Sequence, residues 1–198
     1  MKKFLNMNNN LKIIRHFAIK NSESDDIHGF PHVKRVYDLC IEIGKKSNAN
    51  IELLKIAALL HDIGRIDETT LKRNHAEISA EKASDFLNSN DFDLSKEGIE
   101  NIIHCIKAHS YSNNVIPATI EAKILSDADK LDALGAIGLY RTIGYTFKNK
   151  GELNQVIEHL ENKILKLKHQ LYLKISKKIA FKREKIILDF YNDIMSEK

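Results

Sequence analysis

Tryptophan is absent from this chain of 198 residues, which also has only two prolines, two cysteines and eight glycines. So few prolines and glycines leave little punctuation for β-hairpins, and strict apolar–polar alternation is scarce. Cys40 and Cys105 cannot build a disulfide framework, which argues against a small disulfide-stabilised secreted scaffold. The apolar residues instead recur at helical spacing. We therefore predict an all-α fold, a compact helical bundle.

Long apolar runs are also missing. The longest, residues 56–60, is far shorter than the roughly 20 residues that a membrane-spanning helix needs. Residues 1–10 contain two lysines but no apolar segment typical of a secretory signal. Since 43% of the residues are hydrophobic, the chain can still bury a substantial core. We expect a cytoplasmic protein with no membrane partner.

Charge is distributed unevenly along the chain. Residues 1–147 carry 19 Lys+Arg against 20 Asp+Glu, whereas residues 148–198 carry 12 against 7. A basic segment can attract nucleic acid, but the lysines here also fit the solvated side of amphipathic helices, and few aromatic residues interrupt them. We predict one domain over residues 1–147 and a helical extension over 148–198. The extension would pack on the bundle or on a second subunit in a homodimer, and no nucleic-acid partner is expected.

Two polar residues, His61 and Asp62, directly follow the most apolar helix. Burying an imidazole and a carboxylate there is costly unless another group pairs with them. Adjacent helical positions lie about 100° apart, so both side chains can reach one ion. Imidazole and carboxylate are suitable ligands for a divalent transition metal. The alternative is that Asp62 caps a turn while His61 bonds a backbone carbonyl.

Two further groups have the composition of ligands. His28 and His32 are four residues apart, with Pro31 at the start of the helix that carries His32. Asp127, Asp129 and Asp132 cluster at a predicted helix junction, where a cation would relieve their mutual repulsion. Either of the first two acids could instead cap the following helix.

These residues occur in the order H…HD…D, and their local sequences resemble the HD-domain superfamily of metal-dependent phosphohydrolases. The resemblance rests on residues 28–36, 57–65 and 127–138, which cover the histidine, the His–Asp pair with its apolar lead-in, and an Asp-Ala-Asp-Lys-Leu-Asp-Ala stretch. It is strongest to the small predicted HD hydrolases. The resemblance implies that the bundle is of the HD-domain type.

The resemblance implies a divalent ion bound by His32, His61, Asp62 and Asp129. It favours Asp129 over Asp127, which local chemistry alone does not separate. Such ligands suit Mn, Fe, Co, Ni and Zn, and Mg is not distinguished from them. Some HD branches hold a second metal through additional histidines between the His–Asp pair and the last Asp. His75 and His109 lie in that interval, so they either contact the substrate or bind a second ion.

The expected reaction is hydrolysis of a phosphate ester or anhydride, with a nucleotide as the substrate the family favours. Metal-activated water would be the nucleophile, and the lack of a Gly-x-Ser-x-Gly elbow is consistent with this. Asp67 could orient the water, as could Glu68, although the ppGpp-hydrolase branch places its acidic pair nearer to His–Asp. Predicted catalytic residues are Asp62, Arg65, Asp67 and Lys130. Predicted substrate contacts are His28, Arg35, Arg65, His75, His109 and Lys130. The alternative function is a regulatory module that senses nucleotides without turnover.

Overall fold

The computed structural model describes the backbone of residues 2–198 and the side chains of residues 9–110 and 112–198. Every regular element in the described chain is a helix, which confirms the all-α prediction. Cys40 and Cys105 are both free and buried. Among the described residues, none of the helices combines the length and the apolar character that crossing a membrane requires.

Ten α-helices follow one another through residues 2–198, the part of the chain whose backbone is described, with short 3₁₀ turns at Arg65–Asp67, Tyr111–Asn113 and Ile164–Gln170. Their bounds are α1 Lys2–Lys20, α2 Phe30–Lys45, α3 Ile51–Leu60, α4 Glu68–Leu71, α5 His75–Asn88, α6 Lys96–His109, α7 Ile120–Asp132, α8 Gly135–Lys148, α9 Leu153–Asn162 and α10 Lys174–Glu197.

Short polar side chains set the starts of the helices that matter for the site. The Asn50 side chain accepts hydrogen bonds from the first backbone N–H groups of α3, and Ser95 accepts one from Gly98 in α6. Asn74 caps α5 by accepting from the Ala76 N–H at 2.9 Å. Pro31 lies in the first turn of α2, where its missing N–H costs no helical bond.

The chain divides into two compact units, the first ending at Ser126 and the second running from Asp127 to Lys198. In the first unit, α3 packs against α1, α2 and α6, while α5 packs against α6. Five consecutive residues of α3, from Ile56 to Leu60, are buried, as expected for a helix surrounded by others. The predicted domain boundary after residue 147 remains a prediction.

In the second unit, α8 packs against α9 and α10. The acidic stretch that we expected at a helix junction lies within α7 instead, and the helix ends only at Asp132. The break that follows uses Gly135, whose φ of 82° is a left-handed conformation that suits glycine. The helix therefore continues beyond the expected break, where the backbone N–H groups of Tyr172 and Leu173 hydrogen-bond the Asp127 carboxylate.

Candidate metal centre

The centre of the first unit holds an unusual set of buried polar side chains. His32 lies in the first turn of α2, the His61–Asp62 pair follows the last residue of α3, His75 opens α5 and His109 closes α6. All five side chains are buried. The ends of four helices therefore bring one carboxylate and four imidazoles together in the interior of the first unit.

Close packing holds the His–Asp turn in place. A methyl group on Gly64 would lie only 2.5 Å from the Ser79 backbone nitrogen, so only glycine lets this turn approach α5 so closely. The Gly64 N–H donates to the Ser79 hydroxyl at 2.9 Å. This contact couples the turn that carries Asp62 to the helix that begins with His75.

One oxygen of Asp62 faces the helices α2 and α3. Asp62 Oδ2 is 3.6 Å from His32 Nε2 and 3.8 Å from His61 Nε2. The two imidazole Nε2 atoms are 3.4 Å apart. These three potential ligand atoms therefore lie around one small volume.

The other oxygen faces α5 and α6. Asp62 Oδ1 is 3.4 Å from His109 Nε2 and 3.6 Å from His75 Nε2. Ligand atoms of His61, Asp62 and His109 all lie within 4.8 Å of one another. Asp62 thus lies between two pairs of histidines, with one carboxylate oxygen toward each pair.

Backbone carbonyls orient two of these rings. Nδ1 of His61 donates to the Ala58 carbonyl at 2.8 Å, and Nδ1 of His109 donates to the Ile106 carbonyl at 2.6 Å. Since a carbonyl only accepts, each ring carries its proton on Nδ1 when neutral and keeps a lone pair on Nε2. Such anchoring of the far nitrogen is typical of metal-binding histidines.

A carboxylate orients the third ring. His75 Nδ1 is 3.1 Å from Glu68 Oε1, and its Nε2 is 3.0 Å from the Arg65 guanidinium. Burial lowers the pKa of His75; Asp62 opposes this effect, while Arg65 and His109 add to it. The neutral ring therefore donates to Glu68 and presents its Nε2 lone pair to the centre.

Arg65 is the main cationic partner of the buried carboxylate. Its Nε lies 2.9 Å from Asp62 Oδ2 and its Nη2 lies 3.2 Å from Oδ1, a bidentate pair. Burial by itself would raise the pKa of Asp62, but Arg65, His61 and the other histidines outweigh it and hold that pKa well below its usual range. Asp62 is therefore an ionised acceptor.

This donor set fits a divalent cation. Anchored imidazoles with Nε2 lone pairs, together with an ionised carboxylate, are the ligand types that first-row transition metals prefer. His61 also fulfils the alternative from sequence, since it does bond a carbonyl; that bond and metal binding are compatible because they use opposite ring nitrogens.

The two candidate acids of α7 belong to the second unit, where their surroundings differ. Both oxygens of Asp127 are engaged, accepting from the backbone N–H groups of Tyr172 and Leu173 at 2.8 and 2.9 Å. Asp127 therefore stabilises the segment that leads into α10. Asp129 is half-buried, and its role as a ligand remains a prediction.

Other predicted residues are placed as follows. Lys130 is buried with its ammonium 5.9 Å from the centre of the Tyr172 ring; burial lowers its pKa, while Asp129 and Asp127 raise it. Asp67 is ion-paired with Lys82 at 2.9 Å. Arg35 lies one turn after His32 on α2. Their proposed roles are not tested by these contacts.

His28 lies just before α2, in a loop organised by Asp25. The Asp25 carboxylate accepts from the backbone N–H groups of Ile27 and His28 at 3.0 and 2.9 Å. Gly29 has no room for a side chain, because a methyl group there would lie 2.0 Å from the Asp25 carbonyl oxygen. The loop that carries His28 into α2 is therefore fixed in conformation. Contact between His28 and a substrate remains a prediction.

The sequence did not indicate the pairing of Glu68 with His75. The two residues are seven positions apart and separated by a bend, so no helical period links them. The local sequence offers only a carboxylate that lies between an arginine and a histidine, and this pattern is too common on protein surfaces to indicate the pairing.

Comparison with known proteins defines the class. The HD domain family matches residues 29–134. YpgQ of Bacillus subtilis is 29% identical over 175 residues, which cover 84% of this chain and 82% of YpgQ. Its crystal structure superposes with a TM-score of 0.78 at 25% identity, over 100% of this chain and 97% of that one. YpgQ has also been crystallised with ADP.

Two further relatives extend the comparison. A predicted HD-superfamily hydrolase from an uncultured Thermotogales bacterium has a TM-score of 0.69 and 26% identity, over 94% of this chain and 91% of its own. Ribonuclease Y of Treponema denticola is 32% identical over 127 residues, which are 64% of this chain but only 23% of that enzyme.

The chain belongs to the HD-domain family, as the H…HD…D resemblance predicted. Its class is that of a metal-dependent phosphohydrolase of the HD superfamily, which confirms the predicted enzyme class.

Proposed function

We propose that this protein hydrolyses a phosphate ester or anhydride bond of a nucleotide at the centre around Asp62. The observation that carries the proposal is the orientation of the buried histidines. Three rings anchor Nδ1 on an acceptor and direct Nε2 toward Asp62. This arrangement is suited to binding a cation, because buried Nε2 lone pairs beside a carboxylate are favourable when a cation lies between them.

The proposed metal ligands are His32, His61, Asp62 and Asp129. Support for Asp129 comes from the family resemblance and from Asp127, whose oxygens already accept two backbone hydrogen bonds. A bound divalent ion would supply an activated water and charge neutralisation for the phosphoryl group. Its identity is left to experiment, and one ion is the primary proposal.

Cationic side chains are proposed to bind the phosphate oxygens. Arg65 borders the centre directly, and its planar guanidinium can hold two phosphate oxygens at once. Lys130 and Arg35 are assigned the same task because each is next to or one turn from a proposed ligand. His28, His75 and His109 are proposed as further substrate contacts.

Two acids are candidates for orienting the attacking water. Asp67 is the residue chosen from sequence, and it is paired with Lys82. Glu68 has the more direct connection to the centre, because it holds His75 and lies 3.7 Å from Arg65 Nη1. Comparison of Asp67→Asn and Glu68→Gln would assign the role. Only the substitution of the residue that orients the water should lower turnover without changing the KM.

A nucleotide is proposed as the substrate on two grounds. The resembling family favours nucleotides, and the relative YpgQ has been crystallised with ADP. An ADP-like ligand would present phosphate oxygens to the cationic side chains named above. A homodimer through the C-terminal helices is part of the same proposal, to be tested by light scattering.

The decisive experiment is a substrate screen. Protein stripped of metal is incubated with a panel of mononucleotides, nucleoside diphosphates and triphosphates, each with Mn²⁺, Fe²⁺, Co²⁺, Ni²⁺, Zn²⁺ or Mg²⁺ added back. We expect metal-dependent release of phosphate, pyrophosphate or nucleoside, and its loss in Asp62→Ala. If no nucleotide or simple phosphate ester is cleaved while nucleotides still bind, the protein is a sensing module instead.

A further inference from the structure

Arg65 contacts the same ligand atoms that a second metal ion would need. Its Nη2 is 3.0 Å from His75 Nε2 and 3.2 Å from Asp62 Oδ1. Asp62 Oδ1 is in turn the oxygen that faces His75 and His109. Nη2 is therefore positioned at the half of the centre formed by α5 and α6, while Nε bonds the other carboxylate oxygen, Asp62 Oδ2, at 2.9 Å.

The His75 contact can serve only one cation at a time. Glu68 accepts the proton of Nδ1, so Nε2 carries a lone pair and accepts a hydrogen bond from Arg65. A metal ion bound to His75 would use that same lone pair, at about 2.0–2.3 Å. Arg65 must leave Nε2 before a metal can bind there.

We propose that Arg65 occupies the second cation position of the centre and limits the protein to one tightly bound metal ion. This inference rests on the proposed metal centre and deepens it, because it assigns the number of ions to one residue. The half of the centre near His32 and His61 then holds the ion, and the half near His75 and His109 is served by the guanidinium.

Glu68 makes this arrangement reversible. Its Oε1 orients His75, and its Oε2 lies 3.7 Å from Arg65 Nη1. The Glu68 side chain is 39% exposed and that of Arg65 is 21% exposed. Arg65 can therefore withdraw toward the surface while keeping a carboxylate partner, and His75 keeps its orientation when the guanidinium leaves.

Metal counting tests the proposal without any substrate. Metal-stripped protein is titrated with Mn²⁺, bound ions are counted by equilibrium dialysis, and electron paramagnetic resonance reports whether two ions are magnetically coupled. Wild type should bind one ion and show no coupling. Arg65→Ala and Arg65→Gln should bind a second ion at least about tenfold more tightly than wild type, with a coupled spectrum.

Two control variants separate the contact from a general effect of charge. Lys82→Gln removes a neighbouring cation that bonds Asp67 and the Ile63 carbonyl, and it should leave the ion count at one. Arg65→Ala combined with His75→Ala should lose the second ion again. Circular dichroism establishes that each variant is folded.

Two results would overturn the proposal: wild type binding two ions of similar affinity, or a folded Arg65→Ala protein that still binds only one. Neither result depends on turnover. A protein that counts ions as expected but cleaves no nucleotide would refute the proposed substrate and leave the role of Arg65 intact.

Discussion

Asp62 in the first unit and Asp127 in the second are both buried, and they are used in opposite ways. Asp62 in the first unit lies among imidazoles contributed by four helices, together with one guanidinium. Asp127 in the second unit is held by two backbone N–H groups of one segment. The first arrangement surrounds a carboxylate with side chains that can bind a cation, whereas the second uses both oxygens to hold the backbone.

The difference shows that the neighbours of a buried acid decide its function. Backbone N–H groups only donate, so they consume acceptor capacity and leave little for a metal. Imidazoles with protonated Nδ1 atoms add acceptors beside the carboxylate, and a cluster of acceptors is favourable only with a cation. The pKa values differ in direction: burial raises the pKa of Asp127 despite its hydrogen bonds, whereas Arg65 and the surrounding histidines overcome the effect of burial and lower the pKa of Asp62.

The largest effect is expected from removing a ligand of the first unit. His61→Ala should lower the affinity for the divalent ion at least about a hundredfold and abolish phosphate release. The substitution deletes a proposed metal ligand, the Nε2 atom of an anchored ring. Titration calorimetry with Mn²⁺ and a phosphate-release assay measure the two effects. His104→Ala is the matched control and should leave both quantities unchanged, because His104 accepts a hydrogen bond from the Ala118 N–H and is not a proposed ligand.

Removing Arg65 should affect turnover strongly. Arg65→Ala is expected to lower turnover about a hundredfold, because a cation that stabilises the developing phosphate charge is lost. Affinity for the first ion should stay near that of wild type. The assay is run at a Mn²⁺ concentration that fills only the tighter site. Arg73→Gln removes an exposed cation that is paired with Glu81, and it is the charge control. An unchanged turnover in Arg65→Ala would contradict a role for Arg65 in phosphate binding.

Replacing each of the two acids of α7 by alanine tests whether Asp127 is structural and Asp129 is a metal ligand. Asp127→Ala should lower the free energy of unfolding by about 1–3 kcal/mol, because two backbone N–H groups lose their partner. Asp129→Ala should instead weaken metal binding. Denaturant unfolding and Mn²⁺ titration of both variants give four values. The reverse pattern would make Asp127 the ligand and Asp129 the structural acid.

The smallest effect concerns the acid stability that Glu77 of α5 contributes. The hydrogen bond from Asn113 is the main cause that lowers the pKa of Glu77, and Lys107 adds to it against the opposing effect of burial. A lowered pKa means that the stability is present above the ordinary value of 4.5 and is lost as the pH falls through the folded value.

Glu77→Gln removes this titration while keeping the side chain's shape. Thermal melts between about pH 3 and 7 should show a shallower acid decline for the variant than for wild type. Glu100→Gln, on an exposed pair with Lys96 at 4.0 Å, is the control and should change little. If the melting temperatures of wild type and Glu77→Gln fall equally with pH, Glu77 does not contribute to acid stability.

Much of the fold could be predicted because its signals are local. The Asn50 and Ser95 caps and Pro31 each act within one helical turn, so the sequence identifies the helix starts. The end of α7 was predicted wrongly, since several acids in a row indicated a junction where the helix continues to Asp132. Hydrogen bonds from a segment some 45 residues away stabilise one of those acids.

The sequence by itself determined that the chain is helical, that His61 and Asp62 follow a buried helix, and that the family is the HD-domain family. The tertiary structure decided which groups meet at Asp62. His75 and His109 lie on different helices, and their approach to one carboxylate oxygen follows from the packing of α5 against α6 and of α6 against α3. Helical periodicity relates residues within one turn or two, whereas contacts between helices depend on the packing of the whole core.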